Sequence, residues 1–190
     1  VVATRNVPPH DNSAVDGYAV FHGDLSNSED TRLPVAGRIT AGHPLKTVAK
    51  KGNAYRIFTG AAMPHGTDTV FMQEDVRTEG ADVILPAGIQ LGANRRFMGE
   101  DVRIGTIILD RGKRIRPQEI GLAASIGLSE LMVYKPLCVA VFSTGDEICD
   151  PSADIRRGCI FDSNRYTVIG LLTELGCNVT DLGILEDDQQ

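Results

Sequence analysis

The sequence predicts an α+β, multidomain chain: a small β-rich, barrel-like domain, a helical linker, and the start of a doubly wound α/β domain. Three observations predict it. Short β-like runs bounded by turn residues recur at roughly ten-residue spacing through the first half. A single amphipathic helix follows near residue 117. From Leu137 onward a continuous apolar run, a helical run and a second strand-like run succeed one another, the order of a βαβ unit.

In the β-rich part the runs are Gly17–Val20, Tyr55–Phe58, Asp68–Met72 and Asp82–Leu85, and Gly105–Leu109 reads as a further strand. Pro117 with Glu119 close behind it opens the linker helix, since proline and an acid both suit a helix start. Ile120, Ala123, Ala124 and Leu128 then keep helical spacing, and Gly127 marks the stop. Leu137–Phe142 lacks alternation, as expected of a parallel strand buried on both faces. Val168, Ile169, Leu171, Leu172 and Leu175 line the next helix, and Asn178–Leu185 reads as the returning strand. The expected domains are therefore 1–136, with a β-rich subdomain over about 16–100, and 137–190.

Composition narrows the function. Hydrophobic residues make up 42% of the chain, enough for a core. The net charge of −6 comes with no basic stripe, which argues against nucleic acid as a partner. No apolar run reaches the ~20 residues of a spanning helix, so a membrane anchor is not expected. Cys138, Cys149, Cys159 and Cys177 form no C-x-x-C pair. They read as inert reduced thiols, with Cys138 and Cys177 buried, and together with the lack of a signal-peptide pattern they suit a cytoplasmic protein. The chain opens without Met and stops straight after a strand-like run, which reads as a fragment of something longer.

Several segments could carry chemistry. Asp11 and Asp16 flank one loop just before a strand, although the same Asx-rich run serves equally as a turn. Phe58-Thr59-Gly60 ends a strand with a hydroxyl and free amides, either a plain turn or a cradle for an oxyanion. Arg95-Arg96 followed by Glu100-Asp101 suits an anion and a hard cation held together, or a solvated charged loop. Ser143-Thr144-Gly145-Asp146-Glu147 lies past the carboxyl end of the first parallel strand, where open α/β sheets bind ligands. Asp162-Ser163-Asn164-Arg165 reads as a helix cap, and Glu186-Asp187-Asp188 as a polar loop or a second ligand edge. The four histidines show no metal-ligand spacing, and no P-loop, G-x-G-x-x-G or serine triad occurs.

Taken together these segments resemble the MoeA family, whose eukaryotic relative is the E domain of gephyrin. The resemblance rests on Asp11-Asn12-Ser13-Ala14-Val15-Asp16-Gly17-Tyr18-Ala19, Pro34-Val35-Ala36-Gly37, Phe58-Thr59-Gly60-Ala61, Val70-Phe71-Met72-Gln73-Glu74, Gly99-Glu100-Asp101, Ser143-Thr144-Gly145-Asp146-Glu147 and Asp162-Ser163-Asn164-Arg165, in order along the whole chain. It implies molybdenum cofactor biosynthesis: insertion of molybdate into adenylylated molybdopterin, with cleavage of the adenylate dependent on Mg²⁺. It implies Asp16, Asp101, Glu147 and Asp187 as catalytic acids, Glu147 and Asp187 as metal ligands, and Thr59, Arg96, Ser143 and Thr144 as substrate or anion contacts. It also implies a homodimer whose cleft lies between the β-domain of one protomer and the α/β domain of the other, with a molybdopterin adenylyltransferase upstream. A chain ending at Gln190 would then be inactive alone. Two other readings remain: a scaffold of the gephyrin type without catalysis, and a stand-alone molybdopterin adenylyltransferase, against which the long β-rich segment speaks.

Overall fold

In a computed structural model, residues 1–185 are described, and they divide into two compact units, 1–130 and 131–185. The first unit holds strands β1 (Asn12–Ser13), β2 (Gly17–Val20), β3 (Thr31–Ile39), β4 (Ala54–Ile57), β5 (Thr69–Met72), β6 (Arg77–Glu79), β7 (Asp82–Leu85), β8 (Arg95–Arg96) and helix α1 (Pro117–Ser125). The second holds β9 (Cys138–Thr144), β10 (Ile148–Cys149), β11 (Ile160–Phe161), helix α2 (Asn164–Glu174) and β12 (Asn178–Leu185).

Six strands of the first unit form one curled sheet in the order β5-β2-β4-β3-β7-β6. Side chains alternate between its faces, as pleating requires. Tyr18, Val20, Leu33, Ala54, Phe71, Val83 and Leu85 fill one side, and Ala19, Ile39, Tyr55, Ile57, Ala61 and Val70 the other. Because both faces are covered, all four residues of β2 are buried, which is why that strand carries no polar residue.

β3, unforeseen in the sequence, is the hub of this sheet. Thr31–Pro34 pair antiparallel with β7, and Val35–Ile39 pair parallel with β4 across a register shift between Val35 and Gly37. Pro34 stands where the strand changes partner, a bulge-like position that tolerates a missing N–H. The expected strand over Gly105–Leu109 does not form. Its residues run against the amino terminus through the single bridge Val2↔Ile107 and the bond from the Ala3 N–H to the Thr106 carbonyl (2.8 Å).

Helix α1 begins at Pro117 as expected and ends before Gly127, whose φ of +82° suits only glycine well. Its cap is Arg116, whose N–H donates to the Glu119 carboxylate (3.0 Å) while its guanidinium binds the same group (Nη2–Oε1, 2.7 Å).

In the second unit β9 and β12 pair in parallel, with α2 between them in sequence and packed on both. β9 alternates between exposed and half-buried, so the expected burial on both faces is corrected: α2 covers one face, and no other helix belongs to this unit among the described residues. Cys138 is exposed for that reason and Cys177 half-buried, whereas Cys149 is the buried thiol. The small β10–β11 ladder is also parallel.

Candidate functional site

The two-residue strand β1 organises the acidic loop of the first unit. Ser13 donates its N–H to the Ala61 carbonyl (3.0 Å) and accepts from the Gly60 N–H (2.9 Å). On its other side β1 pairs with β8, Asn12 opposite Arg96 and Ser13 opposite Arg95. The Thr59–Ala62 turn and the Arg95–Asp101 loop, distant in sequence, are thus bonded to one short strand.

Three residues after β1, Asp16 precedes β2. Its Oδ1 accepts both the backbone N–H of Thr59 (2.8 Å) and the Thr59 hydroxyl (2.7 Å). These bonds, with the Arg56 charge nearby, hold its carboxyl below the usual carboxylate range. Of the two readings of this segment, a plain turn or a cradle for an oxyanion, the hydrogen bonds of the described residues follow the turn. Both Thr59 donors serve Asp16, Gly60 serves Ser13, and the Ala61 N–H serves the Phe58 carbonyl (2.9 Å). Next to Asp16, Gly17 lets β2 lie close against β5: a Cβ there would lie 1.7 Å from the Phe71 carbonyl oxygen. Arg56, not singled out in the sequence, donates to the Gly17 carbonyl (3.0 Å), bonds Gln73 and lies over the Tyr18 and Phe58 rings.

The paired arginines separate, as neighbours in a strand must. Arg95 binds Asp11, which also accepts the Met98 N–H (2.7 Å). Burial raises the Asp11 carboxyl, but these two partners pull it below its ordinary value. Arg96 turns to the acids of its own loop, Nη2 to Asp101 (2.6 Å) and Nε to Glu100 (3.3 Å). Arg96 and Asp101 are thus a contact pair within the loop, a pairing that the sequence reading, an anion and a hard cation held together or a solvated charged loop, did not include.

In the second unit, burial raises the Asp162 carboxyl, but Arg165 and, after it, Ser143 pull it below its ordinary value. Thr144 is exposed at the end of β9, next to Gly145 (φ +138°). The Glu147 carboxylate folds back over that glycine, so that a Cβ at position 145 would lie 2.8 Å from Oε2. Beyond the strand end lies an open hollow of about 740 Å³, lined by Asp146, Cys149, Asp150, Asp154, Arg156 and Ile184 among others. Glu147, Ser143 and Thr144 stand outside that lining. Asp187 lies outside the described residues. Among the described residues no group of three or more His, Cys, Asp or Glu side chains converges as a metal would need. The described carboxylates therefore do not by themselves fit a resident Mg²⁺.

Arg165 escaped the sequence reading as anything beyond part of a cap. The cap exists, with Asp162 Oδ1 accepting the Arg165 N–H (3.1 Å). The buried guanidinium also binds Asp162 (2.8 Å), Asp150 (2.8 Å) and Asp181. A cation at a helix N-terminus opposes the helix dipole, and three carboxylates offset that. Nothing in the spacing of residues 150, 162, 165 and 181 announces the cluster.

Comparison with known proteins follows the same outline. Residues 1–127 match the MoeA N-terminal region (domain I and II). A molybdopterin molybdenumtransferase of Haemophilus influenzae is 42% identical over 190 residues, covering 100% of this chain and 46% of that protein. One of Nostoc is 37% identical, covering 99% of this chain and 44% of that protein. A solved structure of the molybdopterin biosynthesis MoeA protein of Pyrococcus horikoshii superposes with a TM-score of 0.90 at 30% identity, covering 100% of this chain and 49% of that one. The chain spans about half the length of the curated relatives it matches.

Proposed function

Since the chain belongs to the MoeA family, we propose that the protein works in molybdenum cofactor biosynthesis as a molybdenumtransferase, joining molybdate to adenylylated molybdopterin with cleavage of the adenylate. The observation that carries this reading is the Asp16–Thr59 pair, bonded through β1 to the loop that bears Arg96 and Asp101.

Arg96 is the anion contact. Its Nε and Nη2 are engaged with Glu100 and Asp101, and Nη1, which has no partner among the described residues, would meet a molybdate or phosphate oxygen. The exposed pair with Glu100 is the weaker and yields first to an arriving oxyanion. Asp101 then fixes the guanidinium plane. Asp16 has the opposite task. A carboxylate held ionised by two donors is a poor proton abstractor, so Asp16 orients a water or a substrate hydroxyl rather than deprotonating it. Ser143 and Thr144 supply hydroxyl contacts to the nucleotide portion, and Glu147 and Asp187 the further acids. A Mg²⁺ requirement belongs to this reading only through Glu147 and Asp187. The β9–α2–β12 unit is read as the opening of a doubly wound α/β domain within 137–190, and residues 1–136 as the N-terminal region.

We place the protein in the cytoplasm as a homodimer, downstream of a molybdopterin adenylyltransferase. The structure has no helix long and apolar enough to cross a membrane among the described residues. The test is molybdate-dependent release of AMP from adenylylated molybdopterin by the complete gene product. Activity that depends on Asp16 and Arg96 supports the reading, and release unaffected by Asp16→Asn and Arg96→Ala refutes it.

A further inference from the structure

The parallel β10–β11 ladder sets Ile148 opposite Ile160 and Cys149 opposite Phe161. Strand alternation then puts Cys159, one residue before β11, on the same side as Cys149. Each thiol is felt in the titration of the other, Cys149 drawn down and Cys159 pushed up. A turn closed by the Cys159 N–H on the Arg156 carbonyl (3.0 Å) returns Arg156 to the pair, with Nη2 4.0 Å from the Cys149 sulfur. Cys149 lines the 740 Å³ hollow beyond β9, and residues 151–158 between the two thiols are all exposed. Two thiols on one side of a short ladder, a guanidinium on one of them and an open approach make a reactive arrangement rather than an inert one.

We propose that Cys149 and Cys159 form a reversible thiol–disulfide site that is oxidised by a hydroperoxide, with Cys149 the attacking sulfur and Cys159 the resolving one. This rests on the second unit alone and is independent of the molybdenum reading. Cys159, then the Arg156 charge, draw the Cys149 thiol below its ordinary value, and Cys149 in turn holds the Cys159 thiol above its own. The Cys149 thiolate attacks the terminal peroxide oxygen. The O–O bond breaks, the alkoxide leaves and takes up the proton that Cys149 lost, and a sulfenic acid remains on Cys149. The Cys159 sulfur then attacks that sulfenic sulfur. The S–O bond breaks, and hydroxide leaves with the Cys159 proton as water. Two thiols have given two electrons and two protons, reducing the hydroperoxide to an alcohol and water. Two equivalents of a small thiol reverse the change and are themselves joined as a disulfide. Closing the bond requires the sulfurs to approach to about 2.05 Å, and Cys159 stands in an exposed turn outside the ladder, so the turn can supply the movement.

The experiment treats the intact protein with stoichiometric hydrogen peroxide, alkylates the remaining thiols and maps the peptides by mass spectrometry. The expected result is a Cys149–Cys159 cross-link two hydrogens lighter, with Cys138 and Cys177 still alkylated. Cys159→Ser should leave a Cys149 sulfenic acid that a cyclic 1,3-diketone traps. Arg156→Gln, a surface change, should slow oxidation several-fold at neutral pH and shift its pH profile upward. Cys149 and Cys159 alkylating as fully as Cys138 after peroxide overturns the proposal, and so does a disulfide between any other pair.

Discussion

Thr59 gives both its amide N–H and its hydroxyl to a single oxygen of Asp16, at 2.8 and 2.7 Å, across 43 residues of sequence. The strand end and the loop are locked by this pair, and the carboxylate is fixed in its ionised form. Thr59→Val removes the hydroxyl bond and keeps the amide bond. The expected outcome is an Asp16 titration midpoint below 3.8 in the wild type that moves upward in the variant, read by carboxyl carbon NMR. The sign follows from the lowered value: the contribution of the pair to stability is present above 3.8 and fades as the pH falls through the folded-state midpoint. An unchanged midpoint in Thr59→Val would show that the hydroxyl bond is not formed in solution.

Gly17 is the second point of constraint. An added methyl would have to enter the space of the Phe71 carbonyl, 1.7 Å from its oxygen. Backbone cannot yield there without parting β2 from β5. Gly17→Ala should cost about 3 kcal/mol or more in urea unfolding, with Asp16 displaced from Thr59.

Arg165 joins three carboxylates from the β10–β11 loop, the start of α2 and β12. Arg165→Met keeps length and removes charge, stranding the buried Asp162. A loss of about 3 kcal/mol is expected, with faster hydrogen exchange at the amides of α2. Wild-type exchange in that variant would show that the cluster contributes no stability to this unit.

Glu119 closes the cap of α1, and its hydrogen bond with Arg116 lowers its carboxyl from 4.5 to about 2. Its stabilisation is complete above 4.5 and is lost as the pH falls towards about 2. Glu119→Gln should therefore melt lower than the wild type at neutral pH, and the two melting curves should converge near pH 2.

Much of this was legible in the sequence, for stated reasons. β2 and β5 were readable because both sides of the sheet are packed there, so their runs are apolar and end at turns, and β7 because Val83 and Leu85 alternate onto one packed side. β3 was not, because Arg32, Pro34 and Gly37 interrupt it where it changes partner. Gly105–Leu109 has strand-like composition but met only the irregular amino-terminal segment, so no ladder formed. At the site, Arg96 and Asp101 could be singled out together because they share a loop, though not as partners of one another. Asp11 with Arg95 and Asp16 with Thr59 could not, since only the folding of β1 between two distant loops unites them. The thiol pair was hidden likewise, because no spacing rule covers two cysteines set by a parallel ladder.

The most direct measurement is AMP release from adenylylated molybdopterin with molybdate present, comparing the complete wild-type gene product with Asp16→Asn, each verified to be folded. The account predicts molybdate-dependent release in the wild type and a fall of at least about tenfold in the variant, the order expected when an orienting group is lost. Equal rates in the two proteins would contradict it.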